Sequence, residues 1–358
     1  MDLLPAYLHG HGYDSYGLPV LREAIARRYT ERGLETAAGQ IFVTNGAQHA
    51  MDLVLRCLVS PLDPVLVESP TYPNALDALV RARARIVPVA LTPDGWDIDL
   101  LVSSLRQSLP RLAYLMPDFH NPAGHLMTAH GRAALAMAAA AAGTRLVIDE
   151  TFAELRLGQG PEPGWPAQPA PLAAWDPVGQ AITVGSMSKT FWAGLRVGWV
   201  RADPGLIGQL QAVRGPSDLA SPVVEQLAAA WLLERAGTVL PARRAVLTRR
   251  RDTLAAALAE HLPGWAFRLP EGGLSLWARL DAPVSSALAQ CAERHRLRLV
   301  PGPRFGSGAS LENYLRLPFA LPEPELAEAA GRLVAAHASL GPAGPAGIPP
   351  LASRAPVA

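Results

Sequence analysis

The sequence predicts an α/β fold, with a large domain on a mixed, mostly parallel sheet and a smaller α+β domain after it. Three observations carry this. Short apolar runs at residues 41–43, 65–67, 86–89, 112–116, 146–148, 182–184 and 197–200 alternate with helical stretches, as strands do when they are buried on both faces and joined through helices. Those helical stretches are one-sided: Met51, Val54, Leu55 and Leu58 share a face within residues 47–59, and Thr128 stands where residues 128–142 need an N-cap. Beyond about residue 236 one long helical pattern through Leu240, Leu247, Leu254 and Leu258 leads to strand-like segments at 274–280, 297–300 and 314–317.

Leu18, Leu21, Ile25 and Tyr29 recur at helical spacing after Gly17, with Pro19 at the start and Gly33 as a stop. The expected organisation is an N-terminal arm and helix over residues 1–34, contacting the small domain or a dimer partner, then a large domain over 35–236 and a small domain over 237–340. Residues 341–358, mostly Gly, Pro and Ala, hold too little apolar surface to order themselves. The Pro- and Gly-rich residues 158–177 are expected to form a surface excursion, since strand-like sequence resumes at once. No internal repeat is present.

The 358 residues carry a formal net charge of +1 with 18% charged residues, which argues against nucleic acid or a membrane surface as partner and favours small-molecule chemistry. Arg243, Arg244, Arg249, Arg250 and Arg251 are expected to be solvated or paired. Cys57 and Cys291 stand alone, without a partner motif, and the first residues lack a basic-then-apolar leader. Both features predict the cytoplasm. The alanine-rich run 133–143 is too short to span a bilayer. His120, His125 and His130 match no zinc spacing, so no metal is expected.

Several motifs fall at strand ends. Ser186-Met187-Ser188-Lys189-Thr190 follows the run 182–184 and precedes Gly194-Leu195-Arg196-Val197-Gly198. Asp149 closes the run 146–148. Asn121 lies in Asp118-Phe119-His120-Asn121-Pro122-Ala123-Gly124, Tyr72 in Glu68-Ser69-Pro70-Thr71-Tyr72-Pro73, and Thr44-Asn45-Gly46-Ala47-Gln48 joins a strand to an amphipathic helix. Arg316 sits in the alternating segment 314–317, where an inward guanidinium needs a partner such as a carboxylate. A reactive lysine, a buried acid, donors for a dianion, a flat ring and an amide donor are what pyridoxal phosphate asks of a protein.

The string SMSKTFWAGLRVGW resembles the lysine motif of class I and II aminotransferases of fold type I, and the resemblance extends from about Gly12 to about Leu333. It implies a Schiff base between pyridoxal 5'-phosphate and Lys189, with phosphate contacts from Ser186, Ser188 and Arg196. It further implies Asp149 against the pyridine nitrogen, Asn121 toward the ring oxygen, Tyr72 stacked on the ring, Gly46, Ala47 and Gln48 as a phosphate turn, and Arg316 on the substrate carboxylate. Gly12-Tyr13-Asp14-Ser15-Tyr16-Gly17 resembles a segment that reaches a neighbouring subunit's phosphate, which implies Tyr13 as a cofactor contact and a homodimer with shared active sites.

The implied activity is an aminotransferase acting on an amino acid or related amine. Two alternatives stay open: diverted carbanion chemistry, and a non-catalytic domain that senses an amine. The wording is most similar to the aminotransferase-like domain of MocR-type regulators, but the protein is expected to lack their winged helix and to carry a shortened form of the family's arm. Many members carry a tyrosine two or three residues after the aspartate; Thr151 and Phe152 stand there instead. The missing phenol predicts an altered imine titration.

Overall fold

The computed structural model describes residues 4–158, 167–306 and 311–340. The expected tail and residues 159–166 of the expected excursion lie outside the described residues. Eight strands form the main sheet: β1 (Ile41–Thr44), β2 (Pro64–Ser69), β3 (Arg85–Thr92), β4 (Gly95–Trp96), β5 (Leu112–Leu115), β6 (Arg145–Asp149), β7 (Ile182–Ser186) and β8 (Gly198–Arg201), in the order β1-β8-β7-β6-β5-β2-β3-β4. The run β7-β6-β5-β2-β3 is parallel. β8 runs antiparallel to both its neighbours, and β4 folds back on β3 as a short edge. The C-terminal ends of β1, β2, β5, β6 and β7 therefore share one edge of the sheet, the edge at which open α/β sheets bind ligands.

Alternating side chains of these strands feed two cores. Phe42, Val65, Val67, Tyr114, Val147 and Val184 belong to one cluster, with Met51, Val54, Leu55 and Leu58 of the helix Ala47–Leu58. Ile41, Val43, Leu66, Leu115 and Ile148 belong to the other, with Leu21, Ile25 and Tyr29 of the helix Pro19–Glu31 and Leu135 of the helix Ala129–Ala141. Each fully buried aliphatic side chain contributes about 1.5–3 kcal/mol. The expected helix signals are used: Thr128 Oγ1 accepts from Gly131 N at 3.1 Å, and Gly33 takes φ +90° just past the first long helix.

The C-terminal part begins with the helix Ala236–His261, whose Leu240, Leu247, Leu254 and Leu258 are buried. β9 (Ser275–Arg279), β10 (Val300–Pro301) and β11 (Tyr314–Pro318) make an antiparallel sheet in the order β10-β11-β9. The strand expected at 297–300 shrinks to Val300–Pro301, because the chain turns at Pro301 into the 3-10 helix Gly302–Phe305. The arginine-rich helix face is engaged within the chain. Arg243 donates to Lys189 O at 3.1 Å, Arg244 to Glu154 O at 2.8 Å, Arg250 to Ala320 O at 2.6 Å and Arg251 to Pro270 O at 2.8 Å, while Arg249 pairs with Glu323 at 3.4 Å. Within the expected excursion, Leu172 and Ala173 pack into the core as part of the 3-10 helix Leu172–Trp175. Among the described residues no helix is long and apolar enough to cross a membrane.

Candidate active site

The shared strand ends surround a cavity of about 370 Å³, within the range of about 300–1,000 Å³ usual for small-molecule sites. β7 delivers the lysine. Ser186 at its end caps the short helix Met187–Thr190, its Oγ accepting from Ser188 N at 3.1 Å and donating to Val197 O at 3.3 Å. That turn sets Ser186, Ser188 and Lys189 on the cavity wall. Burial lowers the Lys189 pKa from its ordinary value; the Arg316 and Arg196 charges act the same way and Asp149 opposes them. The amine is biased toward its neutral, nucleophilic form.

Across the cavity, β6 ends at Asp149, which is 6% exposed. The Tyr114 hydroxyl on β5 donates to Asp149 Oδ2 at 2.6 Å and Thr151 N donates to Oδ1 at 2.9 Å. Burial raises the Asp149 pKa, the Tyr114 hydroxyl and the Thr151 N–H and side chain pull it back, and Glu68 adds to the rise. Both oxygens are thus oriented by neutral dipoles, leaving the negative charge free to meet a cation in the cavity.

The other end of the cavity suits an anion. The helix Ala47–Leu58 starts here, with Ala47 and Gln48 on the wall and Gly46 just before it at φ +85°. N–H groups of a helix's first turn lack helical partners and carry its positive dipole end. Arg196, also on the wall, is held at φ +53° and donates Nη2 to Asn45 O at 3.2 Å. The contact behind this cradle is close: a Cβ on Gly198 would lie 2.5 Å from the Gly46 carbonyl carbon and 2.7 Å from Ala47 N. Helix start and arginine loop come together because Gly198 pairs with both Thr44 of β1 and Ser186 of β7.

Asn121 reaches the wall from the turn after β5. Arg132, fully buried, clamps that turn through Asp118, with Nη2 to Oδ1 at 2.9 Å and Nη1 to Oδ2 at 3.2 Å. Buried Asn121 Oδ1 has no hydrogen-bond partner among the described residues, an orphan polar atom of the kind a ligand satisfies. Tyr72 lines the cavity from the turn after β2, its hydroxyl accepting from Asn74 Nδ2 at 2.7 Å. Phe152 and Thr151 also form part of the wall, so an aryl ring without a hydroxyl faces the cavity where the family often has a phenol.

Besides Gly46, which lies just before the first wall residue Ala47, two sequence candidates stand off this wall. Arg316 is buried on β11, with Nε donating to Ser275 Oγ at 3.2 Å, and burial lowers its pKa to about 10 while Tyr72 opposes. It still acts on the site, because its charge is felt at Lys189 and Tyr72. Tyr13 is 60% exposed and stacks on His11 at a centroid distance of 5.4 Å, outside the cavity wall of the single chain. Sequence reasoning missed Tyr114. Its signal was a polar-tipped ring inside an otherwise apolar run, which needs a hydrogen-bond partner once buried.

The family model for aminotransferase class I and II matches residues 10–333. The chain is 32% identical over 329 residues to aromatic-amino-acid aminotransferase 1 of Thermococcus litoralis, covering 88% of this chain and 77% of that protein. It is 30% identical over 301 residues to the uncharacterized HTH-type transcriptional regulator YdcR of Escherichia coli, covering 83% of this chain but only 63% of the regulator's length. Among solved structures, the alpha-aminoadipate aminotransferase LysN from Thermus thermophilus, complexed with N-(5'-phosphopyridoxyl)-L-leucine, superposes with a TM-score of 0.84 at 28% identity, covering 95% of this chain and 87% of that one.

Proposed function

Because this chain belongs to the class I and II aminotransferases, pyridoxal-phosphate enzymes of fold type I, we propose that it holds the cofactor covalently through Lys189 and moves the amino group of an amino acid or related amine. One observation carries the residue assignment: the Lys189 amine and the Asp149 carboxylate face one cavity whose end is the anion cradle of Ala47, Gln48 and Arg196. When bound, pyridoxal phosphate supplies an aldehyde for the substrate amine and a ring that accepts electrons from the substrate's Cα–H bond.

The chain's own groups do the rest. Gly46, Ala47, Gln48, Ser186, Ser188 and Arg196 hold the phosphate through helix-end N–H groups, hydroxyls and a guanidinium fork. Asp149 keeps a proton on the ring nitrogen, Asn121 donates its amide to the ring oxygen, and Tyr72 stacks on the ring. Lys189, once freed by the incoming amine, would take the Cα proton and deliver it to the carbon on the far side of the substrate nitrogen; its lowered proton affinity suits that base role. Arg316, whose buried charge reaches the site, orients the substrate carboxylate.

The same reading makes residues 35–236 the cofactor domain, 237–340 the small domain and 1–34 an arm whose helix Pro19–Glu31 packs on the main sheet, within a cytoplasmic homodimer that shares its active sites; the tail 341–358 lies outside the described residues. The dimer rests on the resemblance of residues 12–17 to a segment that reaches a neighbouring subunit, with Tyr13 left 60% exposed.

The test is borohydride reduction of the cofactor-loaded protein, peptide mapping, and incubation with a panel of amino acids. The reading expects a label on Lys189 and recovery of the cofactor in its amine form. A label on another amine sinks the assignment. Other products point to diverted chemistry, and binding without conversion points to sensing.

A further inference from the structure

We infer that Tyr114 is a positioning residue for the reaction: its phenol aims the Asp149 carboxylate and keeps it the anionic partner of the cofactor's ring nitrogen. This rests on the function proposed above. Tyr114 is 2% exposed on β5, a strand hydrogen-bonded on one side to β2 and on the other to β6. A leucine or phenylalanine would fill such a site, whereas a buried hydroxyl is costly unless bonded. Here the hydroxyl donates to Asp149 Oδ2 at 2.6 Å, and Tyr114 also lines the cavity.

Thr151 supplies the other donors to that carboxylate, its backbone N–H at 2.9 Å and its side chain. Among the described residues no guanidinium or ammonium hydrogen-bonds to Asp149. The groups facing it are Glu68 from β2, Tyr72 from the turn after β2, Tyr114 from β5 and Lys189 beyond β7. These neutral donors stabilise the anion without neutralising it, which an arginine in place of Tyr114 could not do. The phenol is suited to constant donation, since burial and then Asp149 raise its own pKa well above the ordinary tyrosine value. Without it the carboxylate binds protons more tightly and takes the shared proton from the ring nitrogen.

Tyr114→Phe keeps the ring and removes the donor. In the cofactor-free protein, a carbon-13 titration of the aspartate carboxyls, with Asp149 assigned through Asp149→Asn, is expected to move to higher pH in Tyr114→Phe. Installing 3-fluorotyrosine at position 114, a stronger donor, moves it to lower pH. In the loaded protein, cofactor affinity falls roughly tenfold, the scale of one hydrogen bond to a charged group, and kcat falls more than KM. A variant that melts lower but leaves both the Asp149 titration and the cofactor affinity unchanged overturns the inference. If the wild-type protein binds no pyridoxal phosphate at Lys189, the proposed function falls, while the cofactor-free titration still reports separately on Tyr114.

Discussion

Asp149 and Glu150 are consecutive, both buried, and treated in opposite ways. Glu150 turns to the back of the sheet, where Arg32 Nη1 lies 2.8 Å from its Oε2 and the pair's side chains are 19% and 1% exposed. Asp149 turns to the cavity and meets neutral donors, the Tyr114 phenol and the backbone N–H and side chain of Thr151. Burial raises both carboxyl pKa values; at Glu150 the guanidinium of Arg32 is the first force against that rise, and at Asp149 it is the Tyr114 hydrogen bond. A carboxylate meant to hold the fold is given a full counter-charge, and one meant to hold a cationic ligand is given dipoles alone.

The largest expected effect that tests this contrast is on catalysis. Asp149→Asn keeps shape and removes charge, and kcat of the loaded enzyme should fall on the order of 10³-fold, measured by half-reaction kinetics with a good amino donor. A loss below tenfold would remove Asp149 from its role.

The next is on stability. Arg32→Met leaves Glu150 buried without its cation and should cost about 3 kcal/mol at neutral pH, read from urea midpoints. Its carboxyl pKa then rises further, so folded molecules hold that proton more tightly than unfolded ones. The deficit should shrink as pH falls through the folded-state value, and a pH-independent deficit would contradict the ion pair.

The smallest has the opposite sign. Because the folded-state pKa of Asp149 is raised, its contribution to stability is present below the unfolded value and lost as pH rises through the folded one. Cofactor-free Asp149→Asn should therefore be more stable than wild type at pH 7, by about 1 kcal/mol, with the gain vanishing in acid. Equal melting curves at pH 7 would show that the empty site carries no electrostatic strain.

Much of this was legible in the chain alone. Strands such as Arg145–Asp149 and Ile182–Ser186 announce themselves as apolar runs, and Lys189, Asp149 and Asn121 stand just where such runs stop. The antiparallel insertion of β8 was not legible, because periodicity reports burial and not direction. Tyr114 escaped for a related reason: its partner is 35 residues away, on a neighbouring strand, and only pairing brings them together. Arg316 was found by its type and segment, yet its setting beside Ser275 depends on the register of two strands 41 residues apart.

Gly198 gives the cradle a mechanical property. With room for nothing larger than hydrogen between its α-carbon and the Gly46–Ala47 peptide, the arginine-bearing loop and the first helical turn are two jaws of a vice with no play between them. A change of grip on either side must be transmitted to the other, so any attempt to retune this enzyme for a differently sized anion has to redesign both jaws at once.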